Sequence, residues 1–228
     1  MDHFKKLAAD TAVQQIKDGM IVGLGTGSTA AYAVDALGKL VHNGCRITGI
    51  PTSEQTARQA RALGIPLATL GDYYQVDLTI DGADEVERGS LNLLKGRGGA
   101  LLREKIVASA SARLVIIVDE TKLVDRLCSR CAVPVEVAPF GWQATARKLD
   151  KYSSKVALRK ADEDRPFVTD GGNYILDCAF ESIAEPAGLA IELNNVVGVV
   201  DHGIFIGMTS EVIVAGQHGV QSMIADQR

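Results

Sequence analysis

Apolar positions in the first half of the chain alternate between two rhythms. Residues 2 to 18 bring Phe4, Leu7, Ala8, Ala12 and Ile16 near one helical face and stop at Gly19, which predicts a helix. The run Met20-Ile21-Val22-Gly23-Leu24 then predicts a buried strand. Residues 29 to 40 return to helical spacing, Arg46 to Ile50 reads as a strand, and Ser53 caps a helix carried by Glu54 to Leu63 and stopped by Gly64. Pro66 to Leu70 and Val76 to Ile80 are the next strand candidates. A glycine turn at residues 96 to 99 opens a helix through Ser109, and Leu114-Val115-Ile116-Ile117-Val118 is the clearest buried strand. This alternation predicts an α/β fold with a doubly wound, mainly parallel, Rossmann-like sheet.

After about Cys131 the rhythm changes. A strand at Val133 to Val137 and a helix at Gly141 to Asp150 are followed by strands near Lys155 to Leu158, Phe167 to Thr169 and Tyr174 to Asp177. A helix around Pro186 to Leu193 and a strand at Val196 to Val200 complete a compact α+β unit of ferredoxin-like kind. The expected organisation is a Rossmann-like domain over residues 1–130, completed by 203–228, and a smaller α+β domain over 131–202. Phe140 and Trp142 are expected in the core of the second unit. No internal repeat or low-complexity segment is apparent.

The 228 residues are 46% hydrophobic and 23% charged, the balance of a soluble globular protein. Formal net charge is −4, and no run of Lys or Arg is dense enough to neutralise a nucleic-acid backbone, so nucleic-acid binding is not expected. No apolar run approaches the ~20 residues needed to cross a bilayer, and no membrane partner or signal peptide is expected. A cytoplasmic setting follows, in which Cys45, Cys128, Cys131 and Cys178 stay reduced. The pair Cys128 and Cys131 has metal or redox spacing but no second pair to complete a zinc site, and reads as two ordinary thiols.

Three polar clusters each follow an apolar run, so a parallel sheet is expected to bring them to one edge. Thr26-Gly27-Ser28-Thr29 sits between a strand and a helix, where free N–H groups and the helix dipole favour a phosphate. Its spacing also fits a loose dinucleotide pattern, but Ile50-Pro51-Thr52-Ser53 offers no acid to hold a ribose. Asp81-Gly82-Ala83-Asp84 follows a strand at its carboxyl end, where ligands bind in open parallel sheets; turn or cap roles are the plain alternative. Asp81, Asp84 and Glu85 could bind a metal, but His3, His42, His202 and His218 are scattered, and no metal is expected. Lys95-Gly96-Arg97-Gly98 is the third cluster, with Glu104 in the helix that follows. Residue chemistry alone leaves Glu85, Glu104 and Glu120 all open as a proton acceptor.

These clusters, in this order, resemble the ribose-5-phosphate isomerase A family. Further stretches carry the resemblance: Arg103-Glu104-Lys105-Ile106, Val118-Asp119-Glu120-Thr121-Lys122, Pro134-Val135-Glu136-Val137 and Val168-Thr169-Asp170-Gly171-Gly172-Asn173. The resemblance implies interconversion of ribose 5-phosphate and ribulose 5-phosphate through a cis-enediolate, without cofactor, by a homodimer or homotetramer. It implies Glu104 as the proton acceptor, Asp81 and Asp84 as carriers of oxygen-bound protons, and Lys95 with nearby backbone donors holding the enediolate. Thr26 to Thr29 and Lys122 would hold the phosphate, with Gly82, Ala83, Gly96, Arg97 and Gly98 also at the substrate. Two other classes remain as alternatives, a dinucleotide-dependent oxidoreductase and a non-catalytic sugar-phosphate sensor. Arg97 departs from the family's usual Lys-Gly-Gly-Gly. It would be strained if that position needs positive φ, and otherwise points outward or adds a cation near the substrate.

Overall fold

The computed structural model describes residues 1–224; the last four residues of the expected 203–228 segment lie outside the described residues. The main sheet has six strands. β1 (Ile21–Leu24), β2 (Thr48–Pro51), β3 (Leu78–Asp81), β6 (Leu114–Asp119) and β13 (Glu211–Gly216) are mutually parallel, in the order β2-β1-β3-β6-β13, and β14 (Gly219–Ile224) closes the edge as an antiparallel hairpin with β13. That order reverses direction between β1 and β3. In doubly wound sheets such a reversal opens a crevice at the carboxyl ends of the two strands.

Helices α1 (Asp2–Val13), α2 (Ser28–His42), α3 (Glu54–Ala62) and α4 (Leu101–Ser109) accompany this sheet. Every residue of β6 is buried, which explains its unbroken apolar run; each large aliphatic side chain there stabilises the fold by about 1.5–3 kcal/mol. Ala8, Ala9 and Ala12 of α1 share one core with β1, α2 and β6. The first helix ends at Val13, five residues short of the expected last helical residue, Asp18. The chain tightens into turns after Val13, and the Asp18 carboxylate accepts the Arg46 backbone N–H, drawing residues 14–19 toward the start of β2. Pro66 to Leu70 is also not a strand: only Leu67 bridges Gly49, and the Asp72 carboxylate folds Thr69 into a turn.

The second unit is an antiparallel sheet in the order β11-β8-β10-β9, built from β8 (Val133–Val137), β9 (Lys155–Leu158), β10 (Tyr174–Ala179) and β11 (Val199–His202). Helix α5 (Trp142–Leu149) links β8 to β9, and α6 (Pro186–Asn194) links β10 to β11. This is the split βαβ connectivity of a ferredoxin-like unit. Phe167 to Thr169 contributes a single bridge, Val168 to Tyr174, because Thr169 turns to donate to Glu136. Trp142 packs against this unit's core, but Phe140 does not: it is 98% exposed in the turn before α5.

A third, unexpected sheet joins the two units. β4 (Glu85–Glu87), β5 (Leu93–Leu94), β7 (Leu123–Val124) and β12 (Ile204–Phe205) pair in the order β12-β5-β4-β7. Lys95 follows β5, so its cluster reaches the site from this small sheet and not from the main parallel one. The expectation of three clusters on one sheet edge is corrected to two, with the third brought opposite them.

Candidate active site

The crevice between β1 and β3 begins at Gly25. A Cβ there would stand 2.2 Å from the Asp81 carboxylate, so only glycine lets the two strand ends approach this closely. The Thr26 N–H then donates to Asp81 Oδ1 at 3.0 Å. The Thr26 hydroxyl lies within 2.7–3.2 Å of those of Thr52, Ser53 and Thr56, tying the loop to the start of α3. Thr52 and Ser53 are buried in this cluster, so the end of β2 offers hydroxyls and no carboxylate. Past Gly27, the hydroxyls of Ser28 and Thr29 have no protein partner among the described residues and stand at the amino end of α2. A 15-residue helix with free N–H groups and two hydroxyls at its start is suited to an anion.

The acidic cluster separates in three directions. Asp81 is 1% exposed; its Oδ1 accepts from Thr26 and Gly82 N–H, and its Oδ2 pairs with Lys95 Nζ at 3.0 Å. Asp84 accepts the Arg97 N–H on Oδ2 at 2.9 Å. Glu85 points away and accepts three backbone N–H groups, from Cys128, Arg130 and Cys131, at 2.6–3.0 Å. With its carboxylate fully engaged in shaping that turn, Glu85 is removed from the three candidate proton acceptors. Glu120 is removed too, since it is exposed beside Gln217. The two thiols of this turn are free, and the Cys128 Sγ donates to the Cys131 carbonyl.

Glu104 has the opposite surroundings. It lies in the first turn of α4 and is 5% exposed; Oε1 accepts from Lys95 Nζ at 3.1 Å, while Oε2 is buried without any partner among the described residues. Lys95 Nζ also donates to the Gly82 carbonyl at 2.5 Å. One ammonium is thus shared by two buried carboxylates, of which Asp81 is the better satisfied. Burial pushes the Glu104 carboxyl up to about 8; Lys95 opposes this, and the negative charges of Asp81 and Asp84 reinforce it. Burial alone would lower Lys95, but Asp81 and Glu104 outweigh it and hold the ammonium charged, above the ordinary lysine range. A buried carboxylate held near neutrality beside a fixed cation is suited to take a proton from carbon while the cation steadies developing negative charge.

These groups surround a cavity of about 360 Å³. Thr26 to Thr29, Gly82 to Asp84, Lys95 to Gly98 and Glu104 line it. Lys122 also lines it, so every expected site residue except Asp81 reaches the wall; Asp81 stands behind Lys95. Sequence reasoning missed Met1, Lys5, Asp119 and Thr121, which also line the cavity. Asp119 ends the strand β6 and Thr121 lies in the short 3-10 turn after it, and the rule that ligands bind beyond strand carboxyl ends could have found them. Nothing local marks Lys5 on α1. Arg97 is exposed and unstrained, because the positive φ angles of its turn fall at Gly96 (102°) and Gly99 (78°).

Residues 48–219 match the ribose 5-phosphate isomerase A (phosphoriboisomerase A) family. Over 221 residues the chain is 59% identical to ribose-5-phosphate isomerase A of Gloeobacter violaceus, covering 97% of this chain and 96% of the relative. Ribose 5-phosphate isomerase from Plasmodium falciparum superposes with a TM-score of 0.94 at 40% identity, over 100% of both chains. A D-ribose-5-phosphate isomerase solved in complex with phospho-erythronic acid gives a TM-score of 0.94 at 42% identity, over 97% of this chain and 98% of that one. The match runs through both units and through each of the three clusters around the cavity, and the chain belongs to the ribose 5-phosphate isomerase A family of aldose–ketose isomerases.

Proposed function

We propose that this cavity interconverts ribose 5-phosphate and ribulose 5-phosphate, with Glu104 moving the proton between carbons 2 and 1 through a cis-enediolate. The observation that carries the reading is the unpartnered Glu104 Oε2, buried at the cavity beside a charged lysine. Ser28, Thr29 and the start of α2 hold the phosphate, with Lys5 and Lys122 as the nearby cations. Binding energy at that end fixes the carbon chain against Glu104. Lys95 and the open N–H groups of its turn hold the enediolate oxygens. Asp84, anchored through one oxygen, exchanges protons with substrate oxygens; Asp81, with both oxygens engaged, acts through Lys95. The four-carbon acid phosphate in the solved relative supports this, since its carboxylate is planar and anionic like an enediolate. A cytoplasmic homodimer or homotetramer, working without metal or nucleotide in the non-oxidative pentose phosphate pathway, belongs to the same reading. Among the described residues no helix is long and apolar enough to cross a membrane.

Ketose formation from ribose 5-phosphate with a chelator present tests the reading. Sustained turnover is expected; a loss restored by a divalent ion would move Asp84 into a metal site. Replacing Ser28 and Thr29 together with alanine raises KM for ribose 5-phosphate, while the slow isomerisation of unphosphorylated ribose hardly changes. Equal losses on both sugars would show that the loop serves the fold or the chemistry instead. Because Arg97 contributes its backbone N–H and faces solvent, Arg97→Gly keeps kcat within about a few-fold and stability within about 1 kcal/mol. Steady-state kinetics beside Arg97→Lys checks this: a tenfold or larger loss in the glycine variant, partly rescued by lysine, would place the guanidinium at the substrate.

A further inference from the structure

Arg159 follows β9 in the second unit and takes no part in the chemistry above, yet its side chain ends on the catalytic turn. Its Nε and Nη2 donate to the two oxygens of Asp177, on β10, at 2.9 and 2.5 Å. Its Nη1 donates to the carbonyls of Gly96 and Arg97 at 2.8 and 3.1 Å. The side chain is only 16% exposed, so these contacts are made largely out of water. A planar guanidinium locked by a bidentate carboxylate delivers its remaining N–H groups in a fixed direction, which a flexible lysine cannot do.

What those N–H groups hold is specific. In a trans peptide the carbonyl and the following N–H point in opposite directions. The Gly96 carbonyl shares its plane with the Arg97 N–H, which donates to Asp84. The Arg97 carbonyl shares its plane with the Gly98 N–H; Gly98 lines the cavity, and this N–H has no protein partner among the described residues. One guanidinium therefore braces two peptide planes, the first of them also held by the Gly99 N–H; that plane sets Asp84, while the second carries a free donor in the cavity-lining turn. We propose that Arg159, locked by Asp177, is a positioning residue for the isomerisation: it orients the Gly96–Gly98 peptides so that the Gly98 N–H donates to the enediolate oxygen and Asp84 keeps its place. This rests on the functional reading above and adds to it a role for the second unit.

The test compares Arg159→Ala, Arg159→Lys and Asp177→Asn with the wild type, measuring kcat, KM, and inhibition by phospho-erythronic acid and by inorganic phosphate. Arg159→Ala lowers kcat by about 10- to 100-fold, as expected when an oxyanion donor is misaligned rather than removed. Inhibition by phospho-erythronic acid weakens in parallel, because it probes the enediolate end. KM and inhibition by inorganic phosphate stay within about threefold, since the phosphate loop is untouched. Arg159→Lys restores only part of kcat, and Asp177→Asn lies between wild type and Arg159→Ala. A folded Arg159→Ala enzyme with unchanged kcat and unchanged phospho-erythronic acid inhibition overturns the inference, as does an equal loss in inhibition by inorganic phosphate. Should Arg159→Ala fail to fold, Asp177→Asn decides: wild-type kcat in that variant overturns it. A wild-type chain that does not isomerise ribose 5-phosphate overturns the functional reading itself, whereas an active wild type with indifferent variants overturns only the positioning role.

Discussion

Glu104→Gln loses about two to four powers of ten in kcat while still folding and binding ribose 5-phosphate, because the change removes a general base but keeps its shape. The glutamine oxygen can still accept from Lys95 Nζ, and its amide occupies the space of the unpartnered Oε2. Exchange of the carbon-bound proton with solvent falls with turnover, since both report the same proton transfer. Near wild-type turnover in a correctly folded variant would remove Glu104 from the chemistry. A second readout needs no substrate. The folded-state pKa of Glu104 is raised, so between about pH 5 and 8 the unfolded chain is ionised at this residue while the folded chain retains the proton, and folding takes up a proton. Wild-type stability therefore falls as pH rises through that window, and the Glu104→Gln variant lacks this fall. The melting temperature of the variant relative to wild type should climb from pH 5 to pH 8 and level off above. A difference that does not change with pH would mean that Glu104 is ionised in the folded protein throughout.

Much of the fold was legible because the main strands are buried on both faces and so write themselves as unbroken apolar runs, Leu114 to Val118 above all. The joining sheet was not legible, for the opposite reason. Leu93–Leu94, Leu123–Val124 and Ile204–Phe205 are two residues each, too short to show any period, and their partners lie far apart in sequence. The loop itself was legible because Gly25 to Thr29 must bend between a strand and a helix, and local chemistry suffices to read that. The choice among Glu85, Glu104 and Glu120 was not. Glu85 is engaged by backbone N–H groups more than forty positions away, and Glu104 is left half-satisfied by Lys95, nine positions earlier across a turn that no helical or strand period spans. The same holds for Arg159, whose partners Asp177 and Gly96 come from a neighbouring strand and from the other unit. What a carboxylate or guanidinium does here is decided by which donors or acceptors the tertiary fold brings to it, and no helical or strand period records that.

Lys95→Met is expected to damage both stability and chemistry. The ammonium is 3% exposed and serves Asp81, Glu104 and the Gly82 carbonyl together, so its removal leaves two buried carboxylates facing one another without a cation. Breaking a buried ion pair from one side costs about 3–5 kcal/mol, which lowers the melting temperature by several degrees for a chain of this size. Glu104 loses the one influence that opposes its burial, so its pKa rises further and the ionised fraction of the base at neutral pH, already small in the wild type, falls again. Turnover at pH 7 then falls by about two powers of ten or more, since both the ionised base and the charge opposite the enediolate are lost. Part of that loss should return as the pH is raised and the carboxyl ionises again, so the acid limb of kcat/KM moves to higher pH than in wild type. Combining Lys95→Met with Glu104→Gln removes one of the two opposed carboxylates and recovers part of the stability but none of the turnover. Such non-additivity is the signature of groups in direct contact. If Lys95→Met kept wild-type stability with an unshifted acid limb, or if the double variant lost stability as the sum of the single changes, the ammonium would not be the shared counter-charge that the geometry assigns to it.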